Sequence, residues 1–229
     1  AASDVYKRQL FTSLGDRLTL VPVSHWLEEL VKESFFKGTA VQTIYNGIDT
    51  NVFCPRGNKP ARDYVLGVAS PWCERKGFND FIALRSELPA DVDIVLVGLT
   101  RKQVEALPGG IVGIERTQNV DQLAELYSGA MLFANPTYED NFPTTNLEAM
   151  ACGTPVVTYR TGGSPEAVTS ETGFVVGKGN IKAIADALQA VRGRGKEKYE
   201  EACRQRAVTC FNKDDRYADY VRLYNRVCQ

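Results

Sequence analysis

Two carboxylates frame a short helix-forming segment in the second half of the chain. Asp140 and Glu148 are eight residues apart, and Thr144 and Thr145 stand between them at the start of the predicted helix. The backbone N–H groups of a helix start have no acceptor within the helix, so they can bind an anion such as a phosphate. Glu148, about one turn into the helix, can accept hydrogen bonds from vicinal hydroxyls, as acidic residues do for ribose.

A structural role for Glu148 fits the same residues. The spacing Thr145-x-x-Glu148 matches a capping box, in which the glutamate accepts a hydrogen bond from a backbone N–H of the helix start. The spacing alone does not separate this role from ribose binding.

The elements around this segment place it at the edge of a sheet. The apolar run at residues 131–134 predicts a buried strand, which Pro136 ends. Gly153 and Pro155 end the helix, and residues 156–158 predict the next strand. The acidic loop therefore follows the carboxyl end of a parallel strand, which is where ligands bind in open α/β sheets.

The segment is similar to the E-x7-E region of retaining family 4 glycosyltransferases, which have the GT-B fold. The similarity rests on EAMACGTPVV at residues 148–157 and GGSPE at residues 162–166, and it extends over roughly residues 15–225. Asp140 stands where the family usually has Glu, and residues 141–143 read Asn-Phe-Pro where the family usually has Gly-Phe-Gly.

The resemblance implies a retaining, metal-independent transfer of a sugar from a nucleotide-diphosphate donor to a glycan or other acceptor, as in polysaccharide biosynthesis. It implies that Asp140 orients the sugar hydroxyls and that Glu148 holds the ribose. The other donor contacts expected from this segment are Asn141, Phe142, Pro143, Thr144 and Thr145. The GGSPE segment is expected to be structural, with Ser164 as a helix cap and Pro165 at the first helical position.

A second loop, after the first strand of the main sheet, carries two adjacent cations. Residues 70–77 read SPWCERKG and lack G-x-G-x-x-G, which argues against a nicotinamide-dependent dehydrogenase. By resemblance, Lys76 matches the lysine of the family's R-x4-K-G diphosphate clamp. The family arginine falls at Pro71, so Arg75 is the candidate replacement.

The binding free energies indicate that the site needs a cation. A helix dipole contributes only about 0.3–1 kcal/mol, whereas micromolar binding requires about 8 kcal/mol. We therefore predict that Lys76, Arg75 and Asp140 are the catalytic residues. Ser70 and Trp72 are predicted to contact the donor. A solvated pair of loop cations is the alternative for Arg75 and Lys76.

A third loop follows the strand at residues 111–114. By resemblance it holds the nucleobase, with contacts expected from Arg116, Thr117, Val120 and Leu123. Arg116 could stack on the base or meet a phosphate, and an exposed loop is an equal alternative.

Strand-like and helix-like patterns alternate along the rest of the chain. Strands are predicted at residues 64–69, 92–98, 111–114, 131–134, 156–158 and 173–176, and helices between them at 78–88, 120–127 and 181–191. This alternation predicts an α/β fold with a Rossmann-like parallel sheet of about six strands, the C-terminal half of a GT-B fold by resemblance.

Three regions are predicted. Residues 1–54 hold a disordered start and the last elements of an N-terminal acceptor domain, with short strands at 18–24 and 40–45 and the sequence NGID at 46–49 as a structural exit. After a linker at 57–60, residues 55–210 form the nucleotide-sugar-binding domain. Residues 211–229 form a crossover helix. Because the acceptor domain is truncated on this prediction, we expect the chain alone to bind a nucleotide weakly and to transfer little or no sugar.

The crossover helix carries Tyr217, Tyr220, Val221 and Tyr224 on one face. This stripe either packs on its own domain or lacks its usual partner.

Composition excludes several classes of function. The 27 basic and 28 acidic residues leave a net charge of −1, without the basic surface that nucleic acids require. A single histidine and six cysteines without a CxxC pair predict no metal site, no cofactor and reduced thiols in a cytoplasmic protein. No segment is predicted to span a membrane, and any peripheral membrane contact is expected through the missing domain. The expected partners are a nucleotide sugar and a carbohydrate or lipid-linked acceptor.

Two other functions fit these residues. The departures at Pro71 and Asp140 are compatible with a non-catalytic nucleotide-binding module, and a GT-B nucleotide-sugar epimerase would share the donor site. Unchanged nucleotide affinity in Lys76→Ala and Glu148→Ala would favour the module, and the products from a labelled donor would identify an epimerase.

Overall fold

A helix stands near the start of the described chain. The computed structural model describes residues 2–57 and 60–228 of the chain. Helix α1 spans Ala2–Thr12, within the segment for which a disordered start was predicted. The ring of Phe11 lies 5.9 Å from that of Phe36, a contact that the local sequence pattern does not indicate.

A small two-stranded parallel sheet follows. Strand β1 (Thr19–Leu20) pairs with β2 (Ala40–Val41), and helix α2 (His25–Glu33) connects them. Both strands are shorter than predicted. Ser24 caps α2 as predicted, since its hydroxyl accepts a hydrogen bond from the Leu27 N–H.

The main sheet has six parallel strands. They are β3 (Asp63–Val68), β4 (Val92–Val97), β5 (Ile111–Ile114), β6 (Leu132–Asn135), β7 (Val156–Tyr159) and β8 (Gly173–Val176). Their order is β5-β4-β3-β6-β7-β8. The predicted α/β class and six-stranded sheet are confirmed. The central strands are mainly buried and apolar, as expected for a parallel sheet whose two faces are covered by helices.

Helices alternate with these strands. They are α3 (Phe78–Glu87), α4 (Arg101–Glu105), α5 (Val120–Gly129), α6 (Thr144–Ala151) and α7 (Ile181–Arg194). Asn119 and Asn180 cap α5 and α7 by accepting hydrogen bonds from backbone N–H groups. Helix α4 was not predicted, because five residues are too few for a clear helical period.

Two helices close the chain. Helix α8 (Glu197–Phe211) buries Tyr199, Cys203, Ala207 and Phe211, a stripe spaced by four residues that packs towards α6. The charged sequence at residues 197–208 predicts a helix that rests on the domain surface, and this prediction missed the buried stripe. In helix α9 (Lys213–Val227), Tyr217, Val221 and Tyr224 are exposed, so this face does not pack on its own domain.

The predicted linker falls partly on Asn58 and Lys59, which lie outside the described residues. Across residues 2–57 and 60–228, the structure contains no helix with the length and apolar character needed to cross a membrane. All six cysteines are free thiols, and Cys152 and Cys203 are buried.

Candidate functional site

The carboxyl ends of β3 and β6 form the central edge of the main sheet. The chain proceeds from β3 to β4 and β5 on one side, and from β6 to β7 and β8 on the other. The loops that leave these two neighbouring strands therefore diverge and open a crevice, the usual ligand position in open α/β sheets. The predicted cationic and acidic loops are these two loops.

The crevice edge holds a cavity of about 530 Å³. A second cavity, of about 740 Å³, lies at the opposite edge of the sheet, where the strands begin. Three loops and the start of α6 line the crevice cavity. Its lining residues are Val68, Ala69, Ser70, Val97, Gly98, Glu115, Arg116, Thr117 and Thr145. Four residues predicted to bind the donor therefore surround one cavity: Ser70, Arg116, Thr117 and Thr145. The first and the last of them are 75 residues apart in the sequence.

Lys76 and Asp140 form an ion pair at the same edge. The Lys76 ammonium lies 2.6 Å from Oδ2 of Asp140, and both side chains are largely buried. The exposed Arg75 guanidinium donates a hydrogen bond to the Glu139 carbonyl oxygen over 3.1 Å. Both cations therefore point to the acidic loop, although neither lines the cavity itself.

The backbones of the two loops are fixed against each other. The Arg75 carbonyl accepts hydrogen bonds from the Tyr138 N–H over 2.8 Å and from the Thr137 hydroxyl over 3.3 Å. Gly77 has a φ of 75°, and a Cβ there would overlap the Pro136 carbonyl. A glycine is needed for both reasons, since L-residues rarely adopt this conformation.

Helix α6 begins without a side-chain cap. Its N-cap residue is Pro143, which offers no side-chain acceptor, and Thr144 is the first helical residue. The predicted capping box is absent, because it needs Thr145 as the N-cap residue. The N-terminal N–H groups of α6 thus lie beside the cavity that Thr145 lines.

Glu148 bonds to another helix instead of capping its own. Its Oε2 accepts a hydrogen bond from the Tyr127 hydroxyl over 2.9 Å. Burial raises the pKa of Glu148, whereas the hydrogen bonds from Tyr127 and Thr144 partly oppose this rise. Ribose binding by Glu148 stays a prediction.

Two aromatic residues predicted to contact the donor are core residues. Trp72 is 6% exposed, and its indole N–H donates to the Val97 carbonyl over 2.8 Å. Phe142 is 3% exposed, and its ring stacks on Tyr45 at 4.7 Å. Both rings are enclosed by other side chains, and donor contact by Trp72 or Phe142 stays a prediction.

The remaining predicted residues surround the cavity less closely. Arg116 is exposed and Thr117 partly buried, whereas Val120 is exposed at the start of α5 and Leu123 packs on the core. Asn141 is exposed and Pro143 is buried. Val120, Leu123, Asn141 and Pro143 do not line the cavity, so their donor contacts stay predictions.

A buried polar network behind α6 was not predicted. Asn146 accepts a hydrogen bond from Asn135 over 2.8 Å and donates one to the Ser164 hydroxyl over 3.1 Å. Thr158 shares a 2.6 Å hydrogen bond with Ser164. Ser164 therefore serves this network and not the predicted helix cap. The available signal was two uncharged polar residues near strand ends, Asn135 and Thr158.

A second hydrogen-bonded group that was not predicted, formed by Asp80, Tyr138 and Tyr159, supports the acidic loop. The buried Asp80 carboxylate accepts hydrogen bonds from the Tyr159 hydroxyl over 2.5 Å and from the Tyr138 hydroxyl over 3.2 Å. Burial raises the pKa of both tyrosines, so they act as neutral donors. This group links α3, β7 and the acidic loop.

Glu166 joins the first part of the chain to the main domain. Its carboxylate accepts hydrogen bonds from the backbone N–H groups of His25 and Trp26 at the start of α2, and from the Tyr45 hydroxyl. Burial and this hydrogen bond raise the pKa of Tyr45 to about 12.

Over the same described ranges, no three or more His, Cys, Asp or Glu side chains are grouped so that they could hold a metal ion. The charged groups at the crevice edge include Lys76, Asp140 and Arg75, together with Glu115 and Arg116 in the cavity lining.

Comparisons with known proteins agree with this geometry. The family model for Glycosyl transferases group 1 matches residues 62–192, more than half of the chain. An MMP alpha-(1->4)-mannosyltransferase from Mycolicibacterium hassiacum is 31% identical over 199 residues, which cover 79% of this chain and 47% of that protein. The chain spans about half the length of the curated relatives that it matches.

Solved structures share the fold. Sucrose-phosphate synthase from Thermosynechococcus elongatus superimposes with a TM-score of 0.84 at 22% identity, over 97% of this chain and 61% of that one. Anabaena HepE, solved in complex with UDP and glucose, superimposes with a TM-score of 0.75 at 19% identity, over 95% of this chain and 66% of that one. The segment that the family model matches, residues 62–192, runs from β3 into α7 and contains the whole crevice. By this match the chain belongs to the Glycosyl transferases group 1 family.

Proposed function

We propose that this chain binds the nucleotide-diphosphate sugar donor of a retaining glycosyltransferase and provides the groups that stabilise the leaving diphosphate. The observation that carries the proposal is the crevice between β3 and β6. Ser70, Arg116, Thr117 and Thr145 surround one cavity there, and Lys76 and Asp140 lie at the same edge.

The diphosphate gains negative charge when the glycosidic bond to the donor sugar breaks. Preorganised positive groups aimed at this charge lower the barrier more than contacts that are equal in the ground state. Lys76 supplies a full charge, Arg75 a second one, and the uncapped N-terminus of α6 supplies N–H groups. Asp140 accepts hydrogen bonds from the sugar hydroxyls.

The nucleoside binds at the other end of the cavity. Arg116 and Thr117 hold the base, and Glu148 accepts hydrogen bonds from the ribose. The complex of HepE with UDP and glucose supports a nucleotide in this fold, and the mannosyltransferase relative supports a sugar as the transferred group.

Transfer on this proposal needs no metal or other cofactor, because Lys76, Arg75 and the α6 N–H groups already supply positive potential at the diphosphate. The acceptor is a glycan or a lipid-linked carbohydrate. The six free thiols are compatible with a cytoplasmic reaction.

A thermal-shift screen of the 229-residue chain with UDP, GDP and ADP sugars tests the proposal. A ligand that binds only the native state raises the melting temperature, so one nucleotide class should stabilise the chain. The Lys76→Ala variant should bind that donor about 10- to 100-fold more weakly, because it loses one charged hydrogen bond of about 1.5–3 kcal/mol. Glu148→Ala should also weaken binding.

Lys198→Ala is the matched control, because Lys198 is exposed on α8 and far along the chain from the crevice loops. Its donor affinity should equal that of the wild type. Absence of a shift with all three nucleotide classes, or equal affinities in Lys76→Ala and Lys198→Ala, would contradict the proposal.

A further inference from the structure

The Lys76–Asp140 pair is arranged as an internal competitor for the donor's phosphates. The Lys76 ammonium is 2.6 Å from the Asp140 carboxylate, and the side chains are 25% and 17% exposed. Within the described part of the chain, Asp140 is the hydrogen-bond acceptor of this ammonium. A carboxylate therefore occupies the position on Lys76 that an anionic ligand would take.

The backbone of Asp140 is held independently of this pair. Its carbonyl oxygen accepts a hydrogen bond from the Gly163 N–H over 3.1 Å, and a Cβ on Gly162 would overlap the same oxygen. The two residues before Asp140 are held as well, through the Arg75 contacts to Tyr138 and Glu139. The acidic loop therefore keeps its place when the carboxylate leaves Lys76.

The side chains can separate without a change in the loops. The carboxylate of Asp140 can turn about its side-chain bonds, and Lys76 carries its charge on a flexible four-carbon stem. Opening the pair exchanges one anion on Lys76 for another, so the ammonium is not left without a partner when a diphosphate arrives.

We propose that Asp140 neutralises Lys76 in the free protein and is displaced by the donor's diphosphate, which releases the carboxylate to bind the sugar hydroxyls. This inference rests on the proposed function. It makes the sugar contact conditional on the diphosphate: a free sugar meets a carboxylate already bound to Lys76, whereas a nucleotide sugar frees it. Asp140 then lowers affinity for the diphosphate and adds affinity for the attached sugar.

Titration calorimetry of wild type and Asp140→Asn with a nucleoside diphosphate and its sugar ester tests this. The probe pairs are UDP with UDP-glucose, GDP with GDP-mannose and ADP with ADP-glucose. Asp140→Asn should bind the diphosphate about two- to fivefold more tightly, the range expected for removing a partly exposed competing ion pair. The preference for the sugar ester over the diphosphate should fall by at least about twofold in this variant.

Glu139→Gln is the matched control, because it removes the same charge from the neighbouring residue, whose side chain is exposed. It should change both affinities by less than about twofold. In the Lys76→Gln background, Asp140→Asn should no longer tighten diphosphate binding, since no cation remains to be released. The melting temperature of each free variant verifies that it is folded.

The outcomes separate this inference from the proposed function. If the wild type binds none of the six probes, the proposed function fails and this inference fails with it. If the wild type binds but Asp140→Asn binds the diphosphate equally or more weakly, only the inference fails. Equal tightening for diphosphate and sugar ester would overturn the transfer of Asp140 to the sugar.

Discussion

Glu148 shows how the surroundings of one residue decide its charge. Its carboxylate is partly enclosed between α5 and α6, and its described hydrogen-bond partners are hydroxyl groups rather than cations. Burial without a positive neighbour disfavours the charged form, so the pKa of Glu148 lies above the usual 4.5.

The raised pKa of Glu148 predicts a pH-dependent cost in stability. The native carboxyl holds its proton more tightly than the unfolded chain does, so the free energy of unfolding falls as the pH rises from 4.5 through the native pKa. The Glu148→Gln variant lacks this term. The unfolding free energy of Glu148→Gln, measured with urea, should therefore rise steadily relative to that of the wild type as the pH increases across this interval.

Glu171→Gln serves as the control for that series, since Glu171 is exposed. Its difference from the wild type should stay constant over the interval. A constant difference for Glu148→Gln as well would show that burial does not shift the pKa of Glu148.

The positions of some site residues could be predicted from the sequence, and those of others could not. Lys76 and Asp140 were expected at one edge of the sheet because the resemblance gives the positions of both charges. The burial of the Trp72 and Phe142 rings could not be predicted, because an aromatic ring in a loop fits a binding surface and a core equally well. The contact between Tyr127 and Glu148 joins two helices, and nothing in the local pattern of either helix indicates it.

At the scale of elements, the six strands could be predicted because strands covered on both faces are continuous apolar runs. Their order across the sheet was not predicted, because periodicity does not indicate which strands pair. Helix α8 was misjudged, because the small residues Cys203 and Ala207 in its buried stripe contribute little to an apolar pattern. The close approach of the two crevice loops depends on Gly77, whose role appears only when both loops are in place.

Gly77 should be intolerant of any side chain. Gly77→Ala would force an L-residue into a φ of 75° and place a Cβ against the Pro136 carbonyl. Strain of this kind costs about 1–3 kcal/mol. We expect urea unfolding to show at least that loss, and titration with the donor identified in the screen to show weaker binding, because Lys76 and Asp140 lie on the two displaced loops.

Gly38→Ala isolates the contribution of backbone strain. Gly38 has a φ of 90°, and a Cβ there would have no atom within 4 Å. This variant should lose less stability than Gly77→Ala and keep the wild-type donor affinity. Equal losses in both variants would mean that the contact with Pro136 contributes nothing.

At the scale of the whole molecule, the first and last segments of the chain meet beside the acidic loop. The Ile48 N–H donates to the Phe211 carbonyl, and the Lys213 N–H donates to the Ile48 carbonyl, each over 2.9 Å. The Phe211 ring lies 5.8 Å from the ring of Tyr45 and 5.7 Å from that of Phe142. The NGID segment is therefore hydrogen-bonded to the junction between α8 and α9, which fits a structural role for this segment.

This three-ring cluster predicts that stability and donor binding are coupled through Phe211. Phe211→Ala removes a ring that is 1% exposed, so it should lower the free energy of unfolding by about 3–5 kcal/mol. Phe142 then loses a neighbour, and the acidic loop, whose Asp140 lies two residues before Phe142, should bind the donor more weakly. Tyr217→Ala, on the exposed face of α9 (63% exposed), should change stability by less than about 0.5 kcal/mol and leave binding unaltered. Urea unfolding and donor titration of both variants measure these effects. A lower free energy of unfolding in Phe211→Ala with unchanged donor affinity would show that the cluster stabilises the fold without positioning Asp140.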